Sequence, residues 1–203
     1  MKNTLHFNFA QLPESLLLAA CMLFPAATAL AEQADRYKKI DLEAEYSLLD
    51  DKTKVKTMTG NVEITRGTLL IKTDKAVATE GPEGFQFIVM TRGPGGQAFF
   101  RQKRDGGTNL WVEGVADRME YDEKTEVVKF FNKAHVKYLE GKKVTQEQEG
   151  EFMSYDSKTE NFIGANNASG NSVSGGGRIK ITIQPKLEEP KPDAQNTQNT
   201  QKK

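Results

Sequence analysis

The residues able to do chemistry are few and scattered. The chain has two histidines, His6 and His135, and one cysteine, Cys21. His135 alternates with Ala134 and Val136, so it points away from their face, and no Cys, His or carboxylate cluster accompanies it in the sequence. That favours an exposed structural histidine over a metal ligand or a general base. Asp41, Glu43 and Glu45 recur at every second position, which puts three carboxylates on one strand face. A carboxylate pair at fixed separation is the machinery of glycoside hydrolysis, but the same spacing describes the wet face of a half-buried strand, and the plainer reading carries more weight. The lone Trp111 would suit sugar stacking or a core or rim position. Gly93-Pro94-Gly95-Gly96 precedes no helix start, so it reads as a loop and not as a phosphate cradle. The 28 basic and 28 acidic residues balance and are interspersed, without the basic stripe that nucleic acid demands. Nothing calls for a cofactor, and no catalytic residue or metal ligand set emerges.

The first residues read as a leader. Lys2 and an uncharged apolar run from Ser15 to Phe24 lead into Ala29-Leu30-Ala31, an Ala-x-Ala processing site. A membrane span needs about 20 apolar residues, and this run is half that. Residues 1–31 are therefore expected to be a signal peptide, with a mature chain starting at Glu32. Leu18-Ala19-Ala20-Cys21 is a rival lipoprotein processing box. The apolar run continues past Cys21 and Glu14 interrupts the stretch before it, which suits cleavage after Ala31 better. Losing the leader removes Cys21, leaving about 170 residues without a disulfide, enough for one domain with a core.

Alternation organises what remains. Val62 and Ile64, then Leu69 and Ile71, share faces of two runs folded back at Arg66-Gly67, which predicts a β-hairpin with Gly60 closing the run before it. Ile40, Leu42, Ala44, Tyr46 and Leu48 alternate as one further strand; a helix using Leu42, Tyr46 and Leu49 is the competing reading. Phe85, Phe87 and Val89 form another alternating run, and Ala98–Phe100 and Leu110–Val112 flank a charged turn. Asp117 to Glu126 matches Glu151 to Glu160, with Tyr121 and Tyr155 34 positions apart and an echo at Asp50 to Lys54. Each copy is a strand-turn-strand that cannot bury its apolar face alone, so neighbouring units must stack. Gly164 to Gly177 reads as loop, and Arg178 to Gln184 as the cleanest strand. Residues 186–203, rich in Pro, Gln, Asn and Lys, cannot bury apolar surface and read as a disordered polar tail. With no helix of ten residues to cover it, an all-β sheet must close on itself or fold into two facing layers. Whether the gap is a dry core or receives a lipid is not decided by periodicity.

The leader, the Gly60 to Asp74 hairpin, the Glu113 to Tyr121 run and the basic polar tail resemble the OstA-like family of periplasmic lipopolysaccharide transport proteins. The resemblance covers nearly all of residues 32–185, and neither the anchor expected of LptC nor the outer-membrane barrel expected of LptD is found. It implies an open antiparallel β-jellyroll with a hydrophobic interior groove, in the periplasm, that carries the acyl chains of lipopolysaccharide or lipooligosaccharide. It also implies head-to-tail homo-oligomers bridging the inner and outer membranes, with the jellyroll domains of inner-membrane LptC and outer-membrane LptD as partners. A glycan-binding or glycan-acting jellyroll, with its site near Asp41 and Trp111, is the alternative. On the carrier reading the same-parity apolar positions Ile40, Leu42, Val62, Ile64, Leu69, Ile71, Phe99, Met119, Tyr121, Phe130 and Tyr155 contact acyl chains. Arg178 to Gln184 contains no proline, inward charge or bulge, so it and Ile40 to Tyr46 read as open edges. Their interface residues would be Ile40, Leu42, Tyr46, Ile179, Ile181 and Ile183.

Overall fold

A computed structural model of the chain describes residues 34–91 and 96–185. Twelve strands form one antiparallel sheet: β1 (Asp41–Glu43), β2 (Tyr46–Asp50), β3 (Val55–Arg66), β4 (Leu69–Glu80), β5 (Gln86–Thr91), β6 (Ala98–Lys103), β7 (Leu110–Ala116), β8 (Arg118–Asp122), β9 (Val127–Glu140), β10 (Lys143–Asp156), β11 (Asn161–Ala165) and β12 (Lys180–Ile183). The expected leader, the Gly93–Gly95 part of the predicted loop and the expected tail at 186–203 lie outside the described residues. One helical turn at the start, with Lys38 N donating to Asp35 O at 2.9 Å, precedes β1.

Four long strands give the sheet its shape, because each belongs to two layers. The first half of β3 pairs with β2 and its second half with β1. The first half of β4 pairs with β6 and its second half with β5. The first half of β9 meets β8 and its second half β7, while β10 meets β12 and then β11. One layer therefore reads β2-β3-β4-β5-β8-β9-β10-β11, and the other β1-β3-β4-β6-β7-β9-β10-β12. The change of layer falls where the ladders slip. In β3 it lies between Thr59 and Val62, with Gly60 at φ 81 and Asn61 at φ 42. In the β9–β10 ladder it lies between Gly150 and Phe152, beside Asn132 and Lys133 at φ 61 and 52. Bulges bend a strand and redirect its side chains, and glycine and asparagine at these corners accept the left-handed backbone that the bend requires.

The predicted hairpin forms, turned at Gly67 (φ 60), with Val62, Ile64, Leu69 and Ile71 all buried. Gly60 does not close a run as expected; it is the bulge inside one continuous strand. The single strand predicted from Ile40 to Leu48 is broken at Ala44-Glu45, where Glu45 N donates to Gly60 O. A slip of one residue sends every following side chain to the opposite face. Ile40, Leu42 and Ala44 accordingly pack against the core, whereas Tyr46 and Leu48 turn outward and are 59% and 55% exposed. The Phe85, Phe87, Val89 parity is also inverted: Ile88 and Met90 are inside, and Phe85 and Phe87 lie at the surface.

The three repeat turns are built alike. Asp50, Asp122 and Asp156 each accept, through Oδ1, the backbone N–H groups two and three residues on, at 2.9 and 3.2 Å. Each turn ends on a left-handed residue: Lys54, Glu126 and Glu160 at φ 56, 59 and 53. The turns stack, since Ser157 N donates to Glu126 O, Glu123 N to Gln86 O and Glu80 N to Lys54 O.

Candidate functional site

Following register partners across the strands traces the interior. In one layer Leu42, Ile64, Ile71, Phe100, Gly114, Val136, Gln148 and Ile181 form one inward row. In the facing layer a row runs Met58, Ala76, Met90, Met119, Phe130, Met153, and beside it Leu49, Lys56, Ala78, Ile88, Tyr121, Val128, Tyr155, Phe162. The layers close on each other as one apolar cluster. The Phe100 and Phe130 rings meet edge to face at 5.7 Å, and Tyr138 and Phe162 at 6.0 Å. Gly114 leaves the room that the Phe130 ring fills, since a Cβ there would overlap it.

The first and third of these rows run from the β1/β2 edge to the β11/β12 edge, and each is open at one end, with Leu42 and Phe162 packed on the core at the other. Leu49 is 50% exposed at one end; Ile181 and Ile183 are 57% and 71% exposed at the other. Ile179 packs on the core instead, against Gly150 and Gly164. The ladder bond from Gln184 N to Thr145 O fixes the polarity of β12. By the period of two, the N–H groups of Ile181 and Ile183 point away from β10, toward the free side.

Polar groups close the side of the sandwich where the turns of the two layers meet. Arg66 pairs with Glu123 at 3.4 Å and donates to the Arg36 carbonyl. Arg36 pairs with Glu126 at 3.4 Å, and Arg104 with Glu160 at 2.7 Å. Asp35 accepts from the Thr68 amide at 2.9 Å and from the Thr68 hydroxyl. Burial pushes the Tyr121 hydroxyl up to about 12, against the opposing pull of the Arg66 guanidinium. At Arg104 burial opposes the charge, but the hydrogen bond and attraction of Glu160 outweigh it and hold the guanidinium above its ordinary value. A void of about 10 Å³ beside Asp35, Arg66 and Tyr121 is barely one water wide.

Of the sequence-predicted lining, Val62, Ile64, Leu69, Ile71, Met119, Tyr121, Phe130 and Tyr155 are brought together inside, with Ile40 and Leu42 half-buried at the rim. Phe99 is a correction. It shares an outward row with Lys72 and Val115, and its neighbour Phe100, 1% exposed, takes the interior place. Two adjacent phenylalanines offer parity no anchor, whereas the Gln102 and Ala98 flanks, both buried, share Phe100's parity. Sequence reasoning also missed Met58, Met90 and Met153.

The glycan alternative loses its supports. Trp111 is covered by the Arg101 guanidinium, 4.2 Å from the ring centroid, and Arg101 is held by Glu113 at 2.8 Å. Asp41 and Glu43 sit on β1, with Lys39 on Asp41 at 3.0 Å, while Glu45 lies beyond the strand break and accepts from Asn61. The expectation that no carboxylate accompanies His135 is also overturned, because the β9–β10 register brings Glu147 and Glu149 to it at 3.2 and 3.9 Å.

Two antiparallel layers that share bent strands around one apolar interior define a β-jellyroll. Residues 41–161 match the family described as LptA/(LptD N-terminal domain) LPS transport protein, and the chain belongs to that family. It is 34% identical over 143 residues to the lipopolysaccharide export system protein LptA of Escherichia coli strain K12, covering 68% of this chain and 76% of that protein. It is 29% identical over 167 residues to LptA of Haemophilus influenzae, covering 82% and 88%. Among solved structures, the fold matches LptH of Pseudomonas aeruginosa, described as the LptA homologous periplasmic component of that organism's lipopolysaccharide transport device. That match has a TM-score of 0.64 and 22% identity, over 74% of this chain and 99% of that one. The family is one of transport proteins and not of enzymes.

Proposed function

We propose that this chain is a periplasmic carrier whose interior receives the acyl chains of lipopolysaccharide or lipooligosaccharide. Copies joined head to tail extend that interior between the inner and outer membranes, and the jellyroll domains of LptC and LptD cap the two ends. The names of the relatives support the cargo. The periplasmic description of LptH, together with the leader-like residues 1–31, supports the compartment. The observation that carries the reading is the pair of mostly apolar rows that run through the molecule, one left open at Leu49 on β2 and the other at Ile181 on β12. Acyl chains need such shielding, since each methylene kept from water is worth about 0.8 kcal/mol.

The interior side chains pack closely, so chains enter only if the layers part. Met58, Met90, Met119 and Met153 suit that demand, because methionine is unbranched, polarizable and repacks readily. A photo-crosslinker at Leu42 or Met119 is expected to capture lipid, and one at Glu43 or Phe99, on the outer face, is not. Equal capture on both faces sinks the assignment.

A further inference from the structure

On the outer face of the second layer, away from the interior, three side chains converge that transport of a lipid does not use. His135 of β9 lies directly opposite Glu149 of β10, and Glu147 is two residues along on the same face. His135 Nε2 is 3.2 Å from Glu147 Oε2 and 3.9 Å from Glu149 Oε1, and the three donor atoms all lie within 4.8 Å of one another. We propose that His135, Glu147 and Glu149 form a binding site for a zinc-type divalent cation. A tetrahedral zinc centre with bonds of about 2.0–2.2 Å sets its donor atoms roughly 3.4 Å apart, so the observed triangle needs only small side-chain rotations to close. An imidazole nitrogen with two carboxylate oxygens favours zinc over magnesium or calcium, which prefer all-oxygen shells. Three protein donors leave the fourth position to water.

The donors stand on paired strands inside a sheet, not on loops, which holds their spacing without a ligand. They are also partly exposed, so an ion reaches them from solvent. Two carboxylates facing one imidazole leave an excess of negative charge. Nearby cations offset it: Lys180 Nζ lies 3.9 Å from Glu149, and Lys137 is the register partner of Glu147. Binding an ion takes Glu149 away from Lys180, and with it one side-chain tie between β12 and β10. Lys180 is therefore a competitor of the cation.

The test is zinc titration of the full chain by calorimetry, with cobalt absorption as a second readout. One site per chain is expected, weakened at least tenfold by His135→Gln and by Glu147→Gln, and tightened several-fold by Lys180→Ala. Excess magnesium should not displace the ion. Metal-free melting curves of each variant show whether it folds. If the folded His135→Gln protein binds zinc as the parent does, if the parent binds none, or if bound cobalt shows the thiolate charge-transfer band that places it on Cys21, the site is wrong.

Discussion

Tyr121 shows how a single side chain reports the closure of the fold. Its hydroxyl is held up to about 12 mainly by burial, while in the unfolded chain it ionises near its ordinary 10.0. The folded state therefore keeps a proton that the unfolded state has lost, and this contribution to stability is full below pH 10 and disappears as the pH rises toward 12. Its size is about 2–3 kcal/mol. Chemical denaturation of Tyr121→Phe between pH 10 and 12 should show a shallower loss of stability than the parent. Asp50 works in the opposite direction. The Thr53 hydroxyl, then the Thr53 and Lys52 amides, hold its carboxyl below the ordinary 3.8. Its contribution is present above pH 3.8 and is lost as the pH falls through the lowered value, so Asp50→Asn should flatten the acid limb of the stability curve. Asp122→Ala and Asp156→Ala remove the same turn bonds, and each should cost about 1 kcal/mol by denaturant unfolding at neutral pH.

At the level of the elements, the crossing of strands between layers depends on small residues in particular places. Gly114→Ala sets a methyl into the Phe130 ring. Overpacking of this kind should cost about 1–3 kcal/mol, and Gly114→Ala with Phe130→Leu should recover part of the loss. The hairpin from Gly60 to Asp74 is legible in the sequence because its alternation agrees with its turn chemistry, but its continuation through Gly60 back to Val55 is not. The repeat turns are legible because Asp-x-Lys-Thr is a local motif that needs no partner. What parity cannot reveal are the slips. Nothing local marks the break at Ala44-Glu45, which is set by Gly60 and Asn61 about sixteen residues on, and so strict alternation puts Tyr46 and Leu48 on the wrong face. Phe99 and Phe100 compete as neighbours, and pairing with β4 and β7 decides between them. The convergence on His135 is hidden for the same reason, since Glu147 and Glu149 reach it only through the register of a long hairpin.

For the whole molecule, the proposed head-to-tail contact makes a prediction at the free side of β12. Proline at Ile181 removes an N–H that points away from β10, so it leaves the internal ladder its bonds while denying one to an incoming strand. Ile181→Pro should abolish concentration-dependent oligomers in sedimentation with little change in Tm, and the corresponding change at Thr182, whose N–H points inward, should lower Tm. Oligomers that survive Ile181→Pro in a folded protein contradict edge pairing. Heterologous pairing of this kind does not close, so it extends instead of stopping at a dimer.

The direction of the interior rows has a mechanical meaning. They run across the strands, along the hydrogen bonds, and eight strand positions at about 4.8 Å span roughly 34 Å per layer. A pull along that axis opens neighbouring strands one from another instead of sliding them past each other, so few bonds resist at any moment. If copies join at β12 as proposed, that junction offers only the four residues of the strand, whereas within each copy unbroken polypeptide links one strand to the next. A bridge assembled in that way would part at its joints under tension and leave each jellyroll folded, ready to rejoin when the load is gone.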